Sequence, residues 1–332
     1  MSLILTGADI LQVLDIDLAL QTAAQAFLAY GEGRVNMPPK VYLRVRKGDF
    51  RAMYGAITLN DEEVCGLKWV NVHPDNPQRG LPTVMAKIVL NDPESALELA
   101  DMDGTYITNY RTGAAGGLAA KYLSRPESSS LALIGAGVQA RMQIAAVMKV
   151  RPIRQVAIYN RTPARAQVLM EDLASRFDVQ VMVAENPQEA VQDKDIVVTA
   201  TASTTPLVRR EWISPGTHIN AIGADAAGKQ ELDPAILTEA KIFVDDLTQA
   251  QHSGEINLAL MQGLIRPEQI AAALGQVVAG KKPGRENSQE ITVFDSTGLI
   301  IQDLALGRAV LQRAKERGLG EYKEFIPGLP PK

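Results

Sequence analysis

The sequence predicts an α/β protein built on a doubly wound parallel sheet, joined to a second region of α+β character. Two observations predict the sheet. The uncharged run 129–134 passes directly into the turn Gly135-Ala136-Gly137-Val138-Gln139-Ala140 and then into helical spacing. From Ser128 onward, strand-like and helix-like stretches alternate. A third observation sets the other region apart: before about Gly113, strands succeed one another without long helices between them.

Taken in order, Thr6-Gly7-Ala8-Asp9 reads as a helix cap, and 17–30 carries apolar residues at helical spacing until Gly31 and Gly33 end it. Strands are expected at 41–45, 50–59 and 64–70, parted by turns at Gly48, Asn60-Asp61-Glu62 and Pro74-Asp75-Asn76-Pro77. Further strands are expected at 83–90 and 97–102, and a helix at 113–123 joins the two regions. The alternating region then reads as 131–134, 138–149, 156–159, 163–177, 179–184, 187–191, 195–200, 218–222 and 241–244. A last strand at 290–294 leads through Asp295-Ser296-Thr297-Gly298 into a helix at 300–317, and PGLPPK reads as a loose tail.

The glycine turn carries the first chemical inference. Gly135 permits the tight turn, Gly137 lets the backbone approach a pyrophosphate, and the small Ala140 lets the helix pack close to the strand. Amides at the start of that helix, at Val138 and Gln139, would face phosphate oxygens. At the end of the second strand, where NAD-binding units place a carboxylate for the ribose, stands Asn160, followed by Arg161 and Thr162. A neutral residue removes the repulsion that a 2′-phosphate would meet, and the Arg161 guanidinium, helped by Arg165, can bind that phosphate. The pattern favours NADP(H). The alternative is NAD(H) held through Asn160, with Arg161 a solvated surface charge.

Bulk properties bound the rest. A length of 332 residues favours two domains, and 46% hydrophobic with 22% charged residues is ordinary for a globular chain. A net charge of −4 and the lack of a basic run argue against nucleic acid. No segment approaches the roughly 20 apolar residues of a membrane span, and the N-terminus lacks the marks of a signal peptide. Cys65 is the single cysteine, so no internal disulfide can form, which fits a cytoplasmic protein. Within VCGLKWV it reads as a strand residue rather than a nucleophile. His73 and His218 have no partner at metal-ligand spacing, so no metal is expected.

Along nearly its whole length the chain resembles the ornithine cyclodeaminase/mu-crystallin family, and most of all its archaeal-type alanine dehydrogenase branch. The stretches that carry the resemblance are MPPKVYLRVRKGDFRAM, GLKWVNVHPDNPQRGLPTVMA, RTGAAGGLAAKYL, GAGVQARMQ, INAIGADAAGKQELD, VDDLTQAQHSGEIN and ITVFDSTGLIIQD. The resemblance implies a substrate-binding and dimerisation domain made from both chain ends, about 1–112 and 305–332. A Rossmann domain over 113–304 lies between them, and the protein is a homodimer. It implies that Arg44, Lys68 and Arg111 contact a substrate carboxylate, and that Lys68 also polarises a carbonyl or imine. Arg111 and Thr83, Thr112, Thr201 and Ser296 are implied cofactor contacts, and His252, expected in a loop, would support cofactor geometry. Asp225 closes an apolar strand at its carboxyl end, where such sheets place ligands, and is expected to be the acid/base. Its bland reading is a helix cap for the segment that follows.

Three reactions on a small amino or imino acid share this architecture. Alanine dehydrogenation is expected first, and reduction of a cyclic imino acid second. Ornithine cyclodeamination comes third, because it needs a carboxylate for the distal ammonium and the FRAM segment carries Arg51 instead. Asp61 to Glu63 could substitute, but they read more simply as an exposed turn. Met53, Tyr54 and Leu304 are the residues expected to limit substrate size.

Overall fold

Thr6 opens the first helix in the expected way. Its hydroxyl accepts from Asp9 N, while Asp9 Oδ2 accepts from Thr6 N at 2.9 Å, a reciprocal cap. In the computed structural model, which describes residues 1–328, the chain divides into two units. One comprises Met1–Arg111 and the chain from Leu299 on, and the other Thr112–Gly298. Of the expected tail, residues 329–332 lie outside the described residues.

In chain order the first unit runs β1 (Ser2–Leu5), α1 (Gly7–Val13), α2 (Ile16–Glu32), β2 (Val35–Asn36), β3 (Val41–Val45), β4 (Gly48–Leu59), β5 (Glu62–Val72), β6 (Val84–Asn91) and β7 (Glu98–Asp103). Helix α3 (Gly104–Leu123) then crosses the boundary at 111/112. The second unit runs β8 (Ser130–Ile134), α4 (Val138–Val150), β9 (Gln155–Tyr159), α5 (Pro163–Arg176), β10 (Gln180–Val183), α6 (Pro187–Val191), β11 (Ile196–Thr199) and β12 (His218–Ala221). It continues through α7 (Pro234–Glu239), β13 (Lys241–Val244), α8 (Leu247–Ser253), α9 (Asn257–Met261), β14 (Ile270–Ala273), α10 (Leu274–Val278) and β15 (Thr292–Asp295). Helix α11 (Ile300–Arg317) and β16 (Glu321–Lys323) return to the first unit.

The first unit's sheet has the order β16-β1-β7-β6-β5-β4-β2, with β3 also paired to β4. The β4–β5 hairpin closes through Asn60 and Asp61, both at positive φ, the geometry a two-residue primed turn requires. Alternation sorts its residues onto two faces. Arg51, Met53, Lys68 and Val70 are buried on one; Val41, Leu43, Val45, Tyr54, Leu67 and Trp69 stand exposed on the other. Tyr54 therefore cannot line a pocket together with Met53, contrary to the sequence expectation, because adjacent strand residues point to opposite faces.

The second unit's sheet has the order β10-β9-β8-β11-β12-β15-β13-β14, with every pairing parallel. This is the doubly wound arrangement, and its order reverses between β8 and β11. Helix α3 begins nine residues before its predicted start, because Gly104 to Thr112 has poor intrinsic helix propensity and is held by packing. Its glycines allow close approach to α4: a Cβ on Gly113 would lie 2.6 Å from Met142 O, and one on Gly116 1.8 Å from Gln143 Oε1.

A buried polar chain fixes α3 to the sheet. Asn220 Nδ2 donates to Gly116 O at 3.0 Å, leaving its Oδ1 to face His218 Nε2 at 2.9 Å, while His218 Nδ1 meets Thr292 Oγ1 at 3.0 Å. Burial, reinforced by the charge of Arg285, lowers the His218 pKa to about 3, so the folded protein keeps this ring neutral. The unfolded chain takes up a proton below the ordinary value of 6.5, so His218 removes stability progressively as pH falls from 6.5 toward 3. Urea denaturation at pH 6.5 and pH 5 should show the loss across this interval reduced by about 2 kcal/mol in His218→Gln.

Candidate active site

In the first unit the inner face of the sheet gathers cations around one carboxylate. Lys68, on the long β5, is fully buried, and its Nζ donates to Asp303 Oδ1 at 2.8 Å. Arg111, on α3, reaches the same oxygen through Nε at 3.2 Å and donates through Nη1 to Gln302 Oε1 at 2.9 Å. Asp303 is fully buried in the first turn of α11. Sequence reasoning missed Gln302 and Asp303; the signal was a polar pair inside the otherwise apolar IIQDLALG. Asp303 Oδ2 and Gln302 Nε2 are buried without a hydrogen-bond partner among the described residues, so a polar ligand can satisfy both.

Lys68 is held against its own charge. Desolvation is the largest cause, the nearby Arg111 adds to it, Lys40 contributes, and Asp303 opposes them; together they lower its pKa to about 7. A lysine there can exchange its proton at neutral pH, which an ordinary lysine cannot. Arg51 is buried on the same face, paired with Asp49 at 2.7 Å and lying over the Tyr42 ring at 5.2 Å. Arg44 projects from β3 on this face but is exposed, opposite Asp49 in the register. No direct contact joins it to Lys68. Met53 is the cross-strand partner of Lys68, and Leu304 is fully buried beside Asp303 in α11. Thr83 precedes β6, and its carbonyl accepts from His73 N at 2.8 Å.

Asp61, Glu62 and Glu63 lie elsewhere. They line a separate groove of about 720 Å³ with Asp92, Glu94 and Lys315, and neither Lys68 nor Arg111 reaches it.

In the second unit Gly135, Gly137, Asn160 and Thr201 stand just beyond the carboxyl ends of β8, β9 and β11, beside the reversal of strand order, whereas Thr112 lies in α3 and Ser296 follows β15. Gly135 sits at φ +109°, and a Cβ there would press on Ala200 O at 2.8 Å. Gly137 has no atom within 4 Å of its absent Cβ, and it caps α4 without a side-chain bond. The amides of Val138 and Gln139 thus begin a helix whose entrance is open to an anion, and the loop fits a pyrophosphate. Asn160 has a structural part as well: its Oδ1 accepts from Ala136 N at 3.1 Å and its Nδ2 donates to Thr162 O at 2.9 Å, locking the glycine loop to the turn after β9. Arg161 and Thr162 are exposed. Thr201 follows β11, and Thr112 O accepts from Gln143 Nε2 at 2.8 Å. Ser296 is buried after β15, its amide bonded to Ala221 O at 3.1 Å.

Asp225 lies half-buried in the loop after β12, where Lys229 Nζ donates to its Oδ1 at 2.5 Å. No helix follows for it to cap; the next, α7, is capped by Asp233. His252 is not in a loop but exposed in α8. Sequence reasoning also missed Asp245, which accepts from Thr297 N at 2.7 Å, Thr297 Oγ1 at 2.9 Å and Gly298 N at 2.6 Å and so fixes the turn after β15. Because the space over Gly137 is open, Gly137→Ala should melt within about a degree or two of the unaltered protein. The same variant should bind NADH and NADPH at least about tenfold more weakly in a fluorescence titration.

Comparison with known proteins places the chain in a family. The model of the ornithine cyclodeaminase/mu-crystallin family matches residues 1–318. The alanine dehydrogenase of Archaeoglobus fulgidus is 47% identical over 325 residues, 98% of this chain and 99% of that protein. The structure of an archaeal alanine dehydrogenase dimer with bound NAD matches with a TM-score of 0.94 at 47% identity, covering 98% of this chain and 99% of that one. The Δ1-pyrroline-2-carboxylate reductase of Thermococcus litoralis, in complex with NADH and L-proline, matches at 0.93 with 36% identity, over 97% and 100% of the two chains. The chain belongs to the ornithine cyclodeaminase/mu-crystallin family.

Proposed function

We propose that the protein is a nicotinamide-dependent oxidoreductase of amino acids, and that it interconverts alanine with pyruvate and ammonia. The observation that carries the reading is the buried Lys68, tuned to about 7 and sharing Asp303 with Arg111. Arg111 supplies a permanent cation for the substrate carboxylate. Lys68 as ammonium donates a hydrogen bond to the carbonyl or imine, and near neutral pH it can also give up that proton. Arg44, at the open edge of the same face, adds attraction for an anionic substrate. Asp225, paired with Lys229, takes and returns the proton of the amine or water. When bound, the nicotinamide supplies or accepts the hydride.

The charge balance of the inner face favours alanine over ornithine. Asp49 and Asp303 are each matched to cations, and Arg51 would repel a distal ammonium. Reduction of a cyclic imino acid is the second reading, supported by the Thermococcus litoralis relative, and ornithine cyclodeamination the third. For the coenzyme, neutral Asn160 beside the exposed Arg161 supports NADP(H), while the relatives bound to NAD and NADH support NAD(H).

The exposed apolar face formed by Val41, Leu43, Val45, Tyr54, Leu67 and Trp69 supports a homodimer, since a monomer rarely leaves so continuous an apolar surface in water. Phe50 stacks on Trp69 at 5.3 Å and stiffens this surface. Sedimentation should show a dimer that Trp69→Asp converts to monomer.

Pyruvate with ammonium should consume reduced nicotinamide, and running NADH and NADPH in parallel identifies the coenzyme. Lys68→Met should lower kcat at least about 100-fold with dinucleotide binding retained. Failure to consume either coenzyme with pyruvate, followed by turnover of a cyclic imine, would replace the first reading with the second.

A further inference from the structure

Glu231 lies in the loop between β12 and α7 and is fully buried, although its setting, GKQELD, is among the most polar stretches of the chain. Its two oxygens are divided between two turns. One accepts from Thr201 N at 2.7 Å, behind β11, and the other from Gly223 N at 2.9 Å, behind β12. Only glycine fits at 223: a Cβ would lie 2.1 Å from Thr201 O and 2.4 Å from Glu231 Oε2. The Gly223 carbonyl then accepts from Asp225 N at 3.0 Å and from Lys229 Nζ at 3.3 Å. That same ammonium is the partner of Asp225 Oδ1. One buried carboxylate is thus joined, through the single residue Gly223, to both the amide and the counter-ion of Asp225.

We infer that Glu231 is a positioning residue for Asp225, holding the Gly223 turn against the Thr201 turn so that the carboxylate of Asp225 and its lysine keep one geometry. The inference rests on the acid/base role proposed for Asp225. The ionised form of Glu231 accepts at full strength through both oxygens. A protonated carboxyl weakens one of those acceptors, and an amide in its place points a donor at one of the two N–H groups, so either loosens a turn.

The charged groups facing Glu231 are few. Glu255, from the segment between α8 and α9, accepts from Glu231 N at 3.0 Å and from Leu232 N at 2.7 Å. Asp295, at the end of β15, stands behind Glu255 and accepts from Ile256 N at 3.1 Å. Lys229 and Asp225 share its own loop. Burial raises Glu231 to about 6 against the lowering effect of hydrogen bonds from Thr201, Thr199 and Gly223. Glu255 is pushed well above its usual value by burial and by the charge of Glu231. Glu231 therefore grips both turns at neutral pH and lets go as pH falls through about 6.

The test uses the full-length protein with the substrate on which it turns over. At pH 7.5, Glu231→Gln should bind NADH and NADPH within about fivefold of the unaltered protein and lose at least about tenfold in kcat. Combined with Asp225→Asn, it should lose no more than Asp225→Asn alone. In the unaltered enzyme kcat should fall below about pH 6 while dinucleotide affinity stays flat, and this limb should be missing from Glu231→Gln. Full kcat in Glu231→Gln, or losses that multiply in the double variant, would overturn the inference. Should Glu231→Gln not fold, the profile of the unaltered enzyme decides, and absence of the limb overturns the inference. Full turnover in Asp225→Asn would instead remove the acid/base role on which the inference rests.

Discussion

One carboxylate, Asp303, makes the inner face of the first unit possible. Lys68 and Arg111 are buried within a few ångströms of each other, and two like charges out of water would drive the surrounding sheet apart without a counter-charge between them. Asp303 supplies it from α11, whose apolar face packs on β4 and β5 and brings the carboxylate to the strands. A single negative charge does not balance two cations. The residual imbalance falls on Lys68, the only one of the pair able to shed a proton at ordinary pH, and its depressed pKa expresses this. That residual positive charge is the ground for proposing that the site takes one more anion, such as the carboxylate of an amino or keto acid.

The second unit uses carboxylates differently. Parallel strands end in turns whose amides have no ladder partner, and these turns carry the residues expected to meet the cofactor. Asp245 takes the amides after β15, Glu231 those after β11 and β12, and Glu255 those of Glu231 and Leu232. Each buried acid accepts from two backbone N–H groups and so ties together the loops expected to meet the dinucleotide. Glycines at 135 and 223 complete the device, since neither position has room for a side chain. Stability carries opposing terms: neutral His218 favours pH above 6.5, while the raised Glu231 and Glu255 favour the acid side, where the unfolded chain gains nothing by ionising them.

Much of the fold was legible because its signals are local. The glycine turn, the β4–β5 hairpin at Asn60-Asp61, the cap at Thr6 and the helix Ile300–Arg317 all declare themselves within a few residues. What escaped depends on partners far away in the chain. The first turns of α3 lack helix propensity and form because β7 delivers them into a packed layer, and β1 is only four residues long and draws its pairing from β7 and β16. The same holds for the site. Lys68 and Arg111 could be named from their motifs, but nothing near either residue announces that Asp303 holds both. Asn160 could be read as facing a ribose, yet its bond to Ala136 N, twenty-four residues away, makes it a brace of the glycine loop as well.

Lys68 is central as a buried amine poised near neutrality, and its titration can be followed directly. In protein carrying 13C- or 15N-labelled lysine, the Lys68 resonance is identified by its absence from Lys68→Met. A titration midpoint near 7 is expected. A midpoint close to the ordinary lysine value of about 10.4 would mean that Asp303 fully neutralises the ammonium, and would contradict the account.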